Sequence, residues 1–140
     1  MNRFIGTKLI EAEPVLRGNE EGYRVRYIDG YESWSPKAVF EKAYLPLTVN
    51  KGLQTDKPSI GPEMVDDFIV KTETITMGEK TTVVRAVLRN GFEIVEASSC
   101  VSPENYDKEL GAKLCLDKIK DKVWMLLGFL LQTAVNGINN

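Results

Sequence analysis

The chain has 140 residues, 43% of them apolar, which suits one folded domain or two very small ones and supplies ample material for a core. With 18 Lys and Arg against 20 Asp and Glu, the formal net charge of −2 excludes a global attraction to nucleic acid polymers or anionic membranes. Histidine is absent, which removes the imidazole base of serine and cysteine nucleophile sites and the commonest transition-metal ligand.

Residues Phe4 to Arg17 alternate loosely through Ile5, Leu9, Ile10 and Val15, and Pro14 confines the second half to an edge strand. No basic stretch leads into an apolar run here and no segment is long enough to span a bilayer, so a cytosolic chain is expected. GNEEG, residues 18 to 22, reads as a polar turn. Next, GYRVRYIDGYESW reads as a hairpin around Asp29-Gly30, with Tyr23, Val25, Tyr27 and Trp34 on a core face. Ser35 then serves as N-cap and Pro36 as first residue of a short helix, PKAVFEKAY, turning Val39, Phe40 and Ala43 inward.

These elements make a small strand–hairpin–helix module over residues 1–46. Residues 45–62, with three prolines and two glycines and no clear period, read as a linker or long surface loop, and 60–140 as a second unit. It opens with a short helix in PEMVDDFIV, continues into the strand IVKTETITMG and turns at Gly78 into a three-stranded antiparallel meander. Asp66 and Asp67 are adjacent on a helix and face apart, which argues against a metal site.

The meander closes through Asn90-Gly91, read as a two-residue type I′ turn because both central residues of that turn need positive φ. Arg89 then faces Phe92, Val87 faces Ile94 and Arg85 faces Glu96 on a polar side. Val84, Ala86, Leu88, Val95 and Ala97 form the core side. Arg85, Arg89 and Phe92 become a candidate site, since guanidinium groups beside a ring can hold a phosphate and stack on a base. An exposed sheet face with cross-strand ion pairs is the simpler alternative.

Ser102 as cap, Pro103 at the first position, and Glu104 and Asp107 in the first turn mark the start of a long helix that ends at Asn136-Gly137. Ala112, Leu116, Ile119, Val123, Leu127, Leu130 and Ala134 follow helical spacing on its inner side. Asn105 can offer donors and acceptors to a base or ribose without adding charge. Lys113, Lys118, Lys120 and Lys122 with Asp117 and Asp121 read as a solvated face, Lys122 lying closest to the apolar stretch. Between Val123 and Leu131 the polar face disappears, so the helix must be buried all round, either centrally in the core or under a second subunit. Cys100 and Cys115 lack metal or redox spacing and read as buried thiols. No phosphate-loop, dinucleotide, nucleophile-elbow or zinc-protease motif occurs.

The fold class expected is therefore α+β: antiparallel hairpins, a long C-terminal helix and the small front module. The stretch NGFEIVEASSCVSPENYDKELGAKLCLDKIKDKVWMLLGF, with its NGF hairpin, PENYD helix start and KxWxLxGF helix, resembles the tailed-phage gene product forty-nine family over roughly residues 60 to 135. Residues 1–44 are similar to a module at the front of many small phage accessory proteins.

The resemblance implies a Thoeris anti-defence sponge: a non-enzymatic homo-oligomer, joined through the C-terminal helix, that captures cyclic ADP-ribose or a related cyclic nucleotide between subunits in the host cytoplasm. No cofactor, metal, membrane or nucleic acid polymer enters this picture. Carried over by motif, the pocket positions are Phe92, Asn105, Asp107 and Lys122, with Lys122 standing where a guanidinium is expected. Arg85 and Arg89 join them from the hairpin reading. The competing expectation is a phage structural or host-protein-interaction protein, marked by a broad apolar surface.

Overall fold

A computed structural model describes residues 1–139 and shows an α+β fold. Two compact units emerge, one comprising Met1–Leu47 with the helix end from Phe129, the other Thr48–Gly128.

In the first unit, β1 (Glu11–Pro14), β2 (Gly22–Arg26) and β3 (Glu32–Pro36) form an antiparallel sheet in the order β1-β2-β3. Pro14 lies on an edge strand, as its missing amide requires. Regular pairing is confined to these four residues of the expected first strand, and Phe4 and Ile5 are exposed. Helix α1 (Lys37–Ala43) follows, and Tyr23, Phe40 and Tyr44 stack in series at centroid distances of 4.1 and 4.8 Å beside buried Val25. Ser35 belongs to β3 and caps nothing, because the residue flanking the helix is Pro36. Of the three residues expected inward, Phe40 packs, whereas Val39 and Ala43 are exposed.

The Asp29-Gly30 hairpin corrects the expected register by one residue. Val25 pairs with Ser33 and Arg24 with Trp34, so Trp34 shares the face of Arg24 and not that of Val25. There the indole N–H donates to the Val15 carbonyl at 2.9 Å, and the Arg17 guanidinium lies 3.9 Å above the ring. Gly22 makes room for this ring, since a Cβ there would sit 2.2 Å from it.

In the second unit, α2 (Pro62–Phe68) leads into β4 (Ile69–Met77), which pairs with β5 (Thr81–Leu88), which pairs in turn with β6 (Glu93–Ser99). This is the expected meander. Residues 45–61 carry no helix or strand, and Asn50 gathers the loop by donating to the Ile60 carbonyl and accepting the Gly52 amide.

The long helix α3 (Lys108–Asn136) lays Gly111, Cys115, Ile119, Val123 and Leu127, one residue in four, into the core. Opposite them lie Thr82, Val84, Ala86 and Leu88 of β5, Ile94 of β6, and Met64 and Val65 of α2. Each of the larger apolar side chains contributes roughly 1.5–3 kcal/mol of burial. Ile119, Val123 and Leu127 were expected inward, but Ala112, Leu116 and Ala134 are half-buried and Leu130 is exposed. Gly111 and Cys115 hold the positions instead, because small residues let the helix approach the sheet. Cys115 is fully buried, and burial pushes its thiol pKa up. Cys100 is only half-buried.

Candidate functional site

The candidate site begins at the Asn90-Gly91 turn. A type I′ turn would give Asn90 a positive φ, yet every positive φ among the described residues belongs to glycine, and Gly91 has φ 86°. Gly91 N–H donates to the Leu88 carbonyl at 2.9 Å and Leu88 N–H to the Phe92 carbonyl at 2.8 Å. The connection is thus a three-residue loop, a type I turn followed by a left-handed glycine that opens a bulge. The Asn90 carboxamide oxygen stabilises it by accepting the Phe92 amide at 3.1 Å. Asp29 and Gly30 build the same turn, Tyr31 N–H donating to the Asp29 carboxylate at 3.0 Å and Gly30 having φ 89°.

That extra loop residue moves every partner on β6 by one and exchanges its faces. Ala86 pairs with Ile94, Val84 with Glu96 and Arg85 with Val95. Ile94 is accordingly buried and Val95 exposed, reversing the expected β6 core of Val95 and Ala97. The expected Arg85–Glu96 pair does not form. Instead, the Arg85 guanidinium donates to Glu93 and, at 3.2 Å, to Glu73, across the open face of the sheet. The Glu93 hydrogen bond raises the guanidinium's pKa, while Lys71 and then Arg85 hold the Glu73 carboxyl below the usual range. With two carboxylates on one guanidinium, Arg85 has little positive charge left to offer an anion.

Arg89 is different. It is exposed in the turn, makes no ion pair among the described residues, and its backbone N–H donates to the Phe68 carbonyl at 2.9 Å, which anchors the hairpin tip. Phe92 follows the same turn and is 56% exposed. Its strand parity is that of Ile94, not of Arg85, so the three-residue constellation expected on one face reduces to Arg89 and Phe92 at the tip.

At the opposite end of the sheet, the expected continuous helix from Ser102 is interrupted. Pro103–Asn105 form a single 3₁₀ turn, Tyr106 is extended, and α3 begins only at Lys108. Ser102 donates its hydroxyl to Glu104, which lowers the Glu104 pKa, and caps no amide. The cap of α3 is Asp107, whose carboxylate accepts the Leu110 amide at 3.1 Å. Asp107 is therefore engaged structurally.

Asn105 sits in the 3₁₀ turn with its side chain exposed and free of protein hydrogen bonds among the described residues. Tyr106 beside it shares hydrogen bonds with Thr76 at 2.7 Å and with buried Thr82 at 3.0 Å, a hydroxyl cluster that sequence pattern did not reveal. Lys122 is also paired, with the largely buried Glu96 at 3.1 Å, and Lys120 bridges to Asp66 at 3.0 Å.

Thr82 marks one end of β5 and Leu88, opposite Phe92, the other. At about 3.4 Å per residue the two candidate regions lie roughly 20 Å apart within one chain. Arg89 and Phe92 share the exposed hairpin tip, and Asn105 and Asp107 lie at the far end. Lys122 and Arg85 lie between them on opposite faces of the sheet, each neutralised by glutamate.

Among the described residues no cluster of three acidic or cysteine side chains is arranged to hold a metal, and no helix is long and apolar enough to cross a membrane. Fold and site together define a small α+β protein built of two three-stranded antiparallel sheets and a long C-terminal helix, bearing an exposed aromatic–cationic hairpin tip. Residues 60–135, just over half of the chain, match the model of the phage protein (N4 Gp49/phage Sf6 gene 66) family, and the chain belongs to that family. No curated protein and no solved structure matches it.

Proposed function

We propose that this phage protein is an anti-defence sponge that binds a cyclic ADP-ribose-type immune nucleotide, or a related cyclic oligonucleotide, and holds it without turnover in the cytoplasm of the infected bacterium. The observation that carries this reading is the hairpin tip, where Phe92 is half-exposed and Arg89, three residues before it in the same turn, has no carboxylate partner among the described residues. A ring offers stacking worth about 1–3 kcal/mol per base, and a free guanidinium is suited to a diphosphate.

Asn105 supplies the polar recognition element, and its distance from the tip means that the site is composite. In this reading the tip of one subunit meets the 3₁₀ turn of another in a homo-oligomer joined through α3. Arg85, Asp107 and Lys122 act through their glutamate and helix-cap partners to hold these two regions in place.

The test is to incubate the protein with cyclic ADP-ribose, remove it by heat and assay the supernatant. Depletion before heating and intact nucleotide recovered afterwards support a sponge; altered nucleotide identifies an enzyme, and no depletion discards the nucleotide. Calorimetric titration then locates the site. Phe92→Ala and Asn105→Ala should each weaken capture tenfold or more, about 1.4 kcal/mol, with the oligomer and its thermal midpoint kept. A parent-like affinity in both variants places the site elsewhere.

A host-protein-interaction role is the second reading, favoured by the apolar side chains that α3 exposes, Met125 and Phe129 among them. Nucleotide depletion would count against it.

A further inference from the structure

Thr82 is a fully buried polar side chain in a stripe of β5 otherwise made of Val84, Ala86 and Leu88. Directly opposite it in the sheet stands Thr76 of β4, which is exposed. The Tyr106 hydroxyl spans this pair, 3.0 Å from the Thr82 hydroxyl and 2.7 Å from that of Thr76. Three hydroxyls thus share two hydrogen bonds, and burial decides which way their protons run.

A hydroxyl carries one proton and accepts at its lone pairs. Among the described residues the Thr82 hydroxyl has Tyr106 as its one hydrogen-bond partner. Were Thr82 to accept from Tyr106, its own proton would be left in the core without an acceptor, which costs far more than the same loss at the surface. Thr82 therefore donates to Tyr106. Tyr106 in turn donates to Thr76, and exposed Thr76 turns the last proton to solvent.

This arrangement bears on the turn that carries Asn105. Between Ser102 and Asp107, the Tyr106 hydroxyl makes the only hydrogen bonds to the sheet among the described residues. Upstream the chain is fastened by Cys100 N–H donating to the Lys80 carbonyl and by the Lys80 ammonium donating to the Val101 carbonyl, both at 3.1 Å. Downstream it enters α3 at the Asp107 cap. Inside the turn, Asn105 N–H donates to the Ser102 carbonyl at 3.0 Å and Tyr106 N–H to the Pro103 carbonyl at 3.1 Å. A single 3₁₀ turn of this kind is too short to persist by itself.

We propose that Tyr106 is a positioning residue of the nucleotide site: its hydroxyl, fixed in direction by buried Thr82, clamps the 3₁₀ turn to β4 and β5 and holds Asn105 ready for the ligand. With the turn clamped, the cost of ordering Asn105 is met during folding and not on binding. The inference rests on the sponge reading for its ligand, whereas the clamp is a property of the free protein.

Tyr106→Phe by itself disturbs the core as well as the turn, because it leaves the Thr82 hydroxyl without a partner and lowers the thermal midpoint. Combining it with Thr82→Val removes both polar groups at nearly constant shape, and the midpoint should return toward that of the parent. The clamp is then read without nucleotide, by hydrogen exchange resolved to single amides. In the Thr82→Val/Tyr106→Phe chain the Asn105 and Tyr106 amides should exchange about tenfold faster than in the parent, while the Ile119 amide in the buried stretch of α3 keeps its parent rate. Calorimetric titration with cyclic ADP-ribose should show capture weakened about tenfold, as in Asn105→Ala. Adding Asn105→Ala to the double variant should weaken it little further, since both changes disable one element.

Parent-like exchange at Asn105 and Tyr106, or an equal acceleration at Ile119, overturns the clamp. Capture that recovers together with the midpoint makes Tyr106 a core partner of Thr82 and overturns the positioning role. Capture lost in Asn105→Ala but kept in the double variant refutes the positioning role and leaves the sponge standing. Parent-like capture in Asn105→Ala refutes the Asn105 site and the positioning role with it, while the exchange rates still decide the clamp.

Discussion

Gly111 is where helix propensity and tertiary packing pull in opposite directions, and Gly111→Ala measures which prevails. On an isolated helix the change stabilises by about 1 kcal/mol, because alanine loses less backbone entropy than glycine. In this fold, however, the new Cβ would stand 2.3 Å from Thr82 Oγ1 and 2.8 Å from Thr82 Cβ. Contacts that short force a shift. Thr82 cannot turn aside freely, because it is fully buried in the central strand and its hydroxyl bonds Tyr106.

Overpacking of this kind costs typically 1–3 kcal/mol. With the strand backbone itself resisting, the upper part of that range applies, and the net loss should be about 1–2 kcal/mol after the propensity gain. Urea denaturation should show a lower midpoint with an unchanged slope. Thermal unfolding should fall by roughly 4–8 °C, at about 4 °C per kcal/mol for a chain of this size. Adding Thr82→Ala, which removes the nearest atom, should recover part of the Gly111→Ala loss, giving a coupling above roughly 0.5 kcal/mol in a double-mutant cycle. A Gly111→Ala variant more stable than the parent, or strictly additive losses, would refute the close approach of α3 to β5.

The Asn90-Gly91 turn makes a second prediction: Gly91→Ala, which forces a side chain into φ 86°, should cost about 1–2 kcal/mol in urea unfolding, and a neutral result would refute the left-handed bulge. Leu127→Asp places an unpaired charge in a site 2% exposed, and loss of the cooperative thermal transition or a fall of several kcal/mol is expected. Native thiol titration should modify Cys100 first and Cys115 only on unfolding, the order reversing if Cys115 were accessible.

The raised Cys115 pKa also carries a sign. Its neutral thiol contributes fully below the ordinary value of 9.0 and loses that contribution as pH rises through 9.0 toward the folded value, because only the unfolded chain then ionises. Cys115→Ala should flatten this alkaline decline relative to the parent in urea midpoints measured across pH 8 to 10, and an unchanged slope would refute it.

Local chemistry was sufficient for much of this chain. Asp29-Gly30, Gly78 and Asn90-Gly91 all mark turns, because glycine there takes the positive φ that other residues resist. Alternation along β5 put Val84, Ala86 and Leu88 in the core, and Pro14 marked an edge. Helical spacing made α3 legible together with three of its five buried residues.

What only the tertiary structure decided was register and approach. Both dipeptides are compatible with a two- or a three-residue loop, and the choice rests on whether Asn90 and Asp29 themselves adopt positive φ. Neither does, because each side chain accepts the amide two residues ahead in a type I turn. One residue of slip then decided that Ile94 faces the core, that Arg85 meets Glu93 and Glu73, and that Glu96 is free to take Lys122.

The candidate site was legible as residue types and illegible as an arrangement, since Phe92 and Asn105 stand close to hairpin and helix landmarks whose separation is set by the length of β5. The helix start shows the same division. Ser102-Pro103 and Asp107 are both competent signals by composition, and the chain uses Asp107 because the Tyr106 hydroxyl is held by Thr76 and Thr82 across the sheet, contacts that no local pattern encodes.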